Sequence, residues 1–288
     1  MSYQNFAEKA IHGTDLSREE CYSVLHTPQN KLLDLLHAAF RVRESYFGRK
    51  VRLHRLINAK SGFCSEDCAY CSQSSVSDAS IEKYRLLDEE KILEGARAAK
   101  SAKAVRYCIV GSGRSPTKQE LEILCGIIRR IKEEVGISIC LSLGFLTDPI
   151  AKTLKEAGAD RYNHNLNASE RFYPEICTTH SYEDRIMTLR SAKKAGLGVC
   201  SGAIFGMGES EDDIVDLAFS FKRVEADSIP INFFHPIPGT PLKDVNYLTP
   251  LKCLTILCLI RFLNPEREIR LAGGREFHLR SLQPLVLY

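Results

Sequence analysis

A chain of 288 residues, 44% hydrophobic and 26% charged, has enough apolar material for a large core and carries no low-complexity run. Its net charge of +3 comes with both signs interspersed, which gives no footprint for nucleic acid, and no apolar run reaches the length of a membrane span. Eleven cysteines, behind a start without the pattern of a secretion signal, point to a cytoplasmic, reducing setting and to metal chemistry rather than disulfides.

Residues 1–50 read as helix throughout. One helix opens after Ser17 or Asp15 as cap. A second, over 30–47, places Leu32, Leu33, Leu36, Ala39, Phe40 and Phe47 near a 3.6-residue period. Cys21 falls inside the first of these and reads as packing. The stretch 57–73 then brings Cys64-x3-Cys68-x2-Cys71, three thiols within eight residues. Three is odd for disulfides. A closed zinc site needs four protein ligands, and no Cys or His follows at the next short spacing. An iron–sulfur cluster held by three thiolates, with one iron left open, fits the spacing best.

From residue 51 onward short apolar runs alternate with amphipathic helices. The runs are 51–57, 104–110, 137–143, 160–166, 197–205, 228–234 and 268–271. Thr117 with Glu120 reads as a capping box, Ser181 and Ser210 as N-caps, and Thr249 with Pro250 as a cap followed by proline at the first helical position. Gly158 and Gly196 read as helix stops. Strand then helix, repeated, implies parallel strands with right-handed crossovers. Cys108, Cys140 and Cys200 each sit inside a different strand run, as do Asn163, Asn165 and Asn232. A doubly wound sheet would be near-uniformly apolar there, whereas the inward faces of a barrel converge on one site. The expected fold is therefore α/β: a (βα) barrel of TIM type over 51–288, behind an N-terminal helical segment at 1–50. Cys125, Cys253 and Cys258 lie on helices among apolar neighbours and read as packing. Cys177 reads as a solvent-facing loop thiol without a cluster role, and His164 and His235 as core or rim histidines.

The cysteine spacing with Tyr70 before the third thiol resembles the radical S-adenosylmethionine (SAM) superfamily. The flanks Asn58-Ala-Lys-Ser-Gly and Cys-Ser-Glu-Asp-Cys-Ala-Tyr-Cys-Ser-Gln-Ser are similar to the biotin synthase family, and six ordered motifs carry that resemblance from about Val51 to Pro284. It implies a 4Fe-4S cluster on Cys64, Cys68 and Cys71 that binds SAM through its open iron. It also implies a 2Fe-2S cluster on Cys108, Cys140, Cys200 and Arg270, consumed as sulfur donor when dethiobiotin becomes biotin. Spacing alone does not yield Arg270, since a guanidinium is an odd metal ligand. The motif Tyr162-Asn-His-Asn-Leu implies Asn163, Asn165 and Asn167 against SAM, with Asn165 also on substrate. Asn167 stands where the family has aspartate. By the same resemblance Arg106 lies near the SAM carboxylate, Ile204 presses on adenine, the glycines of Gly202-Ala-Ile-Phe-Gly-Met-Gly admit a ligand, and Asn232 binds the cyclic urea of the substrate. An electron donor of flavodoxin or ferredoxin type and a homodimer are implied as partners, with no nucleic acid and no membrane. The match at Leu279 to Leu285 precedes an eighth strand in the family, so the barrel is expected to hold seven of eight strands, with a gap between the first and seventh and a marginal fold. Two rival readings are a radical SAM enzyme of the same branch with another substrate, and a non-catalytic truncated iron–sulfur paralog.

Overall fold

The alternation read from residue 51 onward becomes one curled parallel sheet wrapped in helices, in a computed structural model that describes residues 2–287. Three helices come first: α1 (Tyr3–Ile11), α2 (Arg18–Leu25) and α3 (Leu32–Phe47). The repeating units follow: β1 (His54–Lys60), α4 (Glu89–Ser101), β2 (Arg106–Gly111), α5 (Lys118–Glu134), β3 (Ser138–Ser142), α6 (Asp148–Glu156), β4 (Arg161–Asn163) and α7 (Tyr182–Lys194). The second half runs β5 (Gly198–Cys200), β6 (Ala203–Phe205), α8 (Glu211–Arg223), β7 (Ser228–Phe233), α9 (Pro250–Leu263), β8 (Glu268–Leu271) and α10 (Arg275–Leu279).

β5 and β6 are the two halves of the one run expected at 197–205. Both pair with β7 in continuous register, Cys200 opposite Ser228 and Ala203 opposite Ile231. The break falls at Gly202, where a Cβ would lie 1.8 Å from the Pro230 carbonyl oxygen. Gly202 therefore answers to a close approach of β7 backbone, not to a ligand as expected. The sheet thus has seven consecutive strand positions, from β1 to β8, and among the described residues no backbone ladder joins β8 to β1.

Local chemistry explains the helix starts. Ser17 with Glu20, Thr117 with Glu120, Ser181 with Asp184 and Ser210 with Asp213 each form a reciprocal capping box, and Thr249 accepts from the Lys252 amide ahead of Pro250. Gly158 and Gly196 take φ of +108° and +77° just past α6 and α7, the left-handed exit a helix stop needs. Side chains of α1–α3 join one buried cluster with α8, α9 and the later strands, and Phe6 meets Phe262 edge-on at 6.3 Å. Arg18 fastens α2 to α8 through Asp212 and Asp216, at 3.0 and 2.6 Å. A second cluster packs α4–α6 on the outside of β1–β4. Cys21, Cys125, Cys253 and Cys258 are buried in these cores, as expected. Among the described residues no helix is long and apolar enough to cross a membrane.

Candidate active site: two thiol sets in one barrel

The chain leaves β1 at its C-terminal end and forms the loop that carries Cys64, Cys68 and Cys71. The loop is pinned from inside and outside. Gly62 N–H donates to Gln73 Oε1 at 2.8 Å and Ser75 N–H to the Glu66 carbonyl at 2.8 Å. Asp67 accepts from the Thr178 and Thr179 amides at 3.0 and 3.2 Å. Burial opposes the Asp67 charge, but the Thr178 hydroxyl, the Cys177 thiol and these two amides outweigh it and hold its carboxyl well below the usual range. Cys68 is buried and Cys64 and Cys71 are half-buried. The Gln73 N–H points at the Cys71 sulfur from 3.4 Å, a donor suited to a liganded thiolate. A three-thiol cluster therefore fits this loop.

Cys108, Cys140 and Cys200 point into the barrel from β2, β3 and β5, as the inward register predicts. Cys108 pairs with Cys140 across β2 and β3. Arg270 reaches them from β8: its Nη2 donates to the Cys200 sulfur at 2.8 Å, its Nε to Ser228 Oγ at 2.9 Å, and its Nη1 to His54 Nδ1 at 3.2 Å. Hydrogen bonds between Cys140 and each neighbouring thiol push the Cys108 and Cys200 thiols down and Cys140 up, against burial at Cys108 and Cys200 and with it at Cys140. The Arg270 charge works in the same direction on Cys108 and Cys200. Four strands deliver three sulfurs and one guanidinium to one point, and a two-iron cluster fits that donor set. Arg275, by contrast, spends a guanidinium nitrogen on the Ala272 carbonyl at 3.1 Å, outside the group.

Arg106 is the clearest correction. It shares the inward face of β2 with Cys108 but sits at the N-terminal end of the strand, away from the Cys64 loop. Its Nε donates to Ser138 Oγ at 3.2 Å, and its Nη1 lies 3.8 Å from Glu268. It therefore belongs to the floor of the barrel and not with a cofactor carboxylate at the mouth. Glu268 is the hub of that floor: Arg161 stands at 3.3 Å, Arg52 at 3.7 Å and His54 at 2.8 Å. The His54 approach is an ion-pair contact out of line for a hydrogen bond. Burial resists the Glu268 charge, but His54, Arg161 and Arg106 overcome it and hold the carboxyl at about 2. Across the β1–β8 gap, Arg52 and His54 reach Glu268, and Arg270 donates to His54. Alternation could have exposed this floor, since His54, Arg161 and Glu268 each fall on the inward register of their strands.

At the mouth, Asn163 and Asn165 are half-buried and alternate with buried Tyr162, His164 and Leu166. Asn163 Nδ2 donates to Ser142 Oγ at 3.3 Å, while its Oδ1 is buried with no partner among the described residues; so is Oδ1 of Asn58. Such orphaned acceptors suit a polar ligand. Asn165 Oδ1 accepts from Gly202 N–H at 3.1 Å. Asn167 leaves the alternation: β4 ends at Asn163, Asn167 takes φ +68°, and its side-chain amide donates to the Tyr70 hydroxyl of the Cys64 loop. Ile204 faces inward in register with Asn232. Asn232 staples its neighbours, donating to the Ala203 carbonyl at 3.0 Å and accepting from Gly273 N–H at 2.9 Å. His164 is buried against Phe145, and His235 stacks on Phe277 at 4.3 Å.

Cys177 is not the surface thiol expected. It is buried, 3.8 Å from the Cys68 sulfur, within a network of Glu66, His180, Arg185 and Tyr173 that sequence reading missed. The Cys-x2-His spacing of Cys177 and His180 was the available signal, but nothing local ties it to a loop more than a hundred residues away.

A profile described as the radical SAM superfamily matches residues 59–221, and one described as the biotin and thiamin synthesis associated domain matches residues 230–288. The chain is 50% identical over 286 residues to a biotin synthase of Bacillus subtilis (strain 168), covering 99% of this chain and 85% of that one. It is 49% identical over 287 residues to a biotin synthase of Geobacillus thermodenitrificans (strain NG80-2), covering 100% and 86%. Among solved structures it resembles methylornithine synthase, with a TM-score of 0.83 and 25% identity over 92% of this chain and 78% of that one.

Proposed function

The chain belongs to the biotin synthase family of radical SAM enzymes, and from that premise we propose how its own residues divide the work of converting dethiobiotin to biotin. It is a radical SAM sulfurtransferase with a 4Fe-4S cluster, SAM and a 2Fe-2S cluster as cofactors. When bound, these groups supply a carbon-centred radical able to take hydrogen from an unactivated carbon, and a sulfur atom to put in its place. The protein holds, orients and shields.

Cys64, Cys68 and Cys71 would hold the first cluster, and Cys108, Cys140, Cys200 and Arg270 the second. The observation that carries this division is the meeting of three strand cysteines and Arg270 at one point inside the barrel, with Arg270 Nη2 2.8 Å from Cys200. Asn163, Asn165, Asn167 and Ile204 would line the SAM pocket between the two sets, and Asn165 with Asn232 would orient the substrate. Asn232 already spends both ends of its amide on backbone, so its Oδ1 can serve substrate only through a second lone pair. Arg106 drops from the cofactor set and joins Glu268. Residues 1–50 would act as a helical segment clamping the barrel of 51–288. Phe63, 67% exposed beside Cys64, supports electron entry at the loop from a donor of flavodoxin or ferredoxin type. A homodimer is proposed, with Val51 and Leu53, each more than half exposed just before β1, as part of the face it would cover. Sedimentation at micromolar concentration decides that point, and a monomer there rejects it.

The test of the division is a pair of assays on cysteine variants. Cys64→Ala, Cys68→Ala or Cys71→Ala should abolish SAM cleavage. Cys140→Ala or Cys200→Ala should retain part of the cleavage yet make no biotin. Equal loss of cleavage in both groups refutes the assignment. Rescue of a biotin-requiring strain lacking its own synthase tests the overall reaction.

A further inference from the structure

We infer that Cys177 is the oxidation partner of Cys68: once the first cluster is lost, the two thiols close a reversible disulfide that withholds Cys68 from the ligand set. The inference rests on the reading of Cys68 as a cluster ligand. Its basis is backbone geometry on both sides of the pair. Beyond Cys68, the Ala69 N–H donates to the Ile176 carbonyl at 2.9 Å. Before it, Asp67 accepts from the amide next to Cys177, that of Thr178, at 3.0 Å. Cys68 and Cys177 are therefore clamped face to face with their sulfurs 3.8 Å apart, 8% and 4% exposed. A disulfide needs about 2 Å between sulfurs, so the two side chains have to rotate toward each other from 3.8 Å. Cys64 and Cys71, both half-buried in the same loop, are the alternative partners for Cys68.

A single metal ion on Cys68, Cys177 and His180 is the competing use of the same atoms, which do lie within 4.8 Å of one another. His180 argues against it. Its Nδ1 stands 2.6 Å from Glu66, and its Nε2 2.9 Å from Arg185 and 2.7 Å from the Tyr173 hydroxyl. Arg185 can only donate, so Nε2 accepts and the ring proton sits on Nδ1, toward Glu66. A metal would have to pull His180 out of this buried network, whereas the disulfide leaves His180 with Glu66, Arg185 and Tyr173 and gives up only the Cys177 thiol contacts, to Asp67 at 3.1 Å and to His180 Nδ1 at 3.3 Å. With hydrogen peroxide as oxidant, each sulfur gives up its hydrogen, the S–S bond forms, and the two electrons cleave the O–O bond to leave two waters. A dithiol reverses the step by exchange. Parked in this way, Cys68 is spared the irreversible climb to sulfinic acid.

The experiment strips iron anaerobically from the full chain, adds peroxide, and maps non-reduced peptides by mass spectrometry. Iron and sulfide are then restored with and without prior dithiol. The expected result is a Cys68–Cys177 peptide as the main cross-link, with iron recovery at the loop down roughly five-fold without dithiol and restored with it. Cys177→Ser should load iron like the parent when never oxidised, but after peroxide should carry over-oxidised Cys68 and stay unloaded even with dithiol. Cross-linking of Cys68 to Cys64 or Cys71, no cross-link at all, or a Cys177→Ser chain that dithiol rescues as well as the parent, overturns the inference. Cys68→Ser separates the two claims: if it keeps the full first cluster, the ligand reading fails whatever disulfide has formed.

Discussion

At the scale of single residues, Asn167 shows how one atom can decide affinity. Its backbone is left-handed, at φ +68°, a conformation that Asn and Asp tolerate better than most side chains. Its amide donates to the Tyr70 hydroxyl, which ties the segment after β4 to the Cys64 loop. A carboxylate in the same place would accept from Tyr70 and still offer an oxygen to a ribose diol. Asn167→Asp is therefore expected to tighten SAM binding about tenfold, or about 1.4 kcal/mol. Equilibrium binding to the reconstituted chain measures this, and unchanged or weaker binding means the site has adapted to the amide. Glu268 offers the second residue-scale prediction. Its side chain is only 12% exposed and faces several basic groups. Glu268→Gln removes the charge that balances them and should lower stability by roughly 2 kcal/mol. Thermal unfolding checks it, and a change near zero would show that the floor relaxes around the amide.

At the scale of elements, what was legible in the sequence was what is local. The caps at Ser17, Thr117, Ser181, Ser210 and Thr249 depend on residues three positions apart, so each could be read before any fold was known. The inward cysteines were read from sulfur residues standing inside three separate strand runs, which a barrel turns toward one centre. Strand ends were less legible because distant partners set them. The first strand was expected at 51–57 but lies at His54–Lys60: Val51 and Leu53 look apolar yet are exposed, and the ladder with β2 begins only at His54. The fourth was expected to run on to residue 166, but it ends at Asn163, and Asn165 accepts from the Gly202 amide in the broken fifth strand. Arg106 was set near the cofactor by resemblance, and the face it shares with Cys108 does not say at which end of the strand it lies. The Cys68–Cys177 approach joins two loops with no pattern in common. A capping prediction belongs here too. Ser181 accepts from the Asp184 amide at 3.2 Å and starts α7, the helix that carries Arg185. Ser181→Ala should cost about 1 kcal/mol in unfolding free energy, and no cost would mean the helix start is held by packing alone.

At the scale of the whole molecule, the sheet is open between β1 and β8, and side chains span the opening where a backbone ladder does not. The helices α1–α3 are part of the same buried core as α8 and α9, so the chain is expected to unfold in one transition. Phe6 tests this, being 1% exposed and edge-on to Phe262. Phe6→Ala should lower stability by about 3–4 kcal/mol across the entire transition, whereas a separate early transition would show that α1–α3 melt on their own. The central claim is that one barrel holds two clusters on two separate thiol sets. Iron per chain after anaerobic reconstitution tests it most directly. The parent should hold about six irons, Cys140→Ala about four and Cys68→Ala about two. Loss of all iron in both variants, or the same partial loss in both, would contradict two independent clusters.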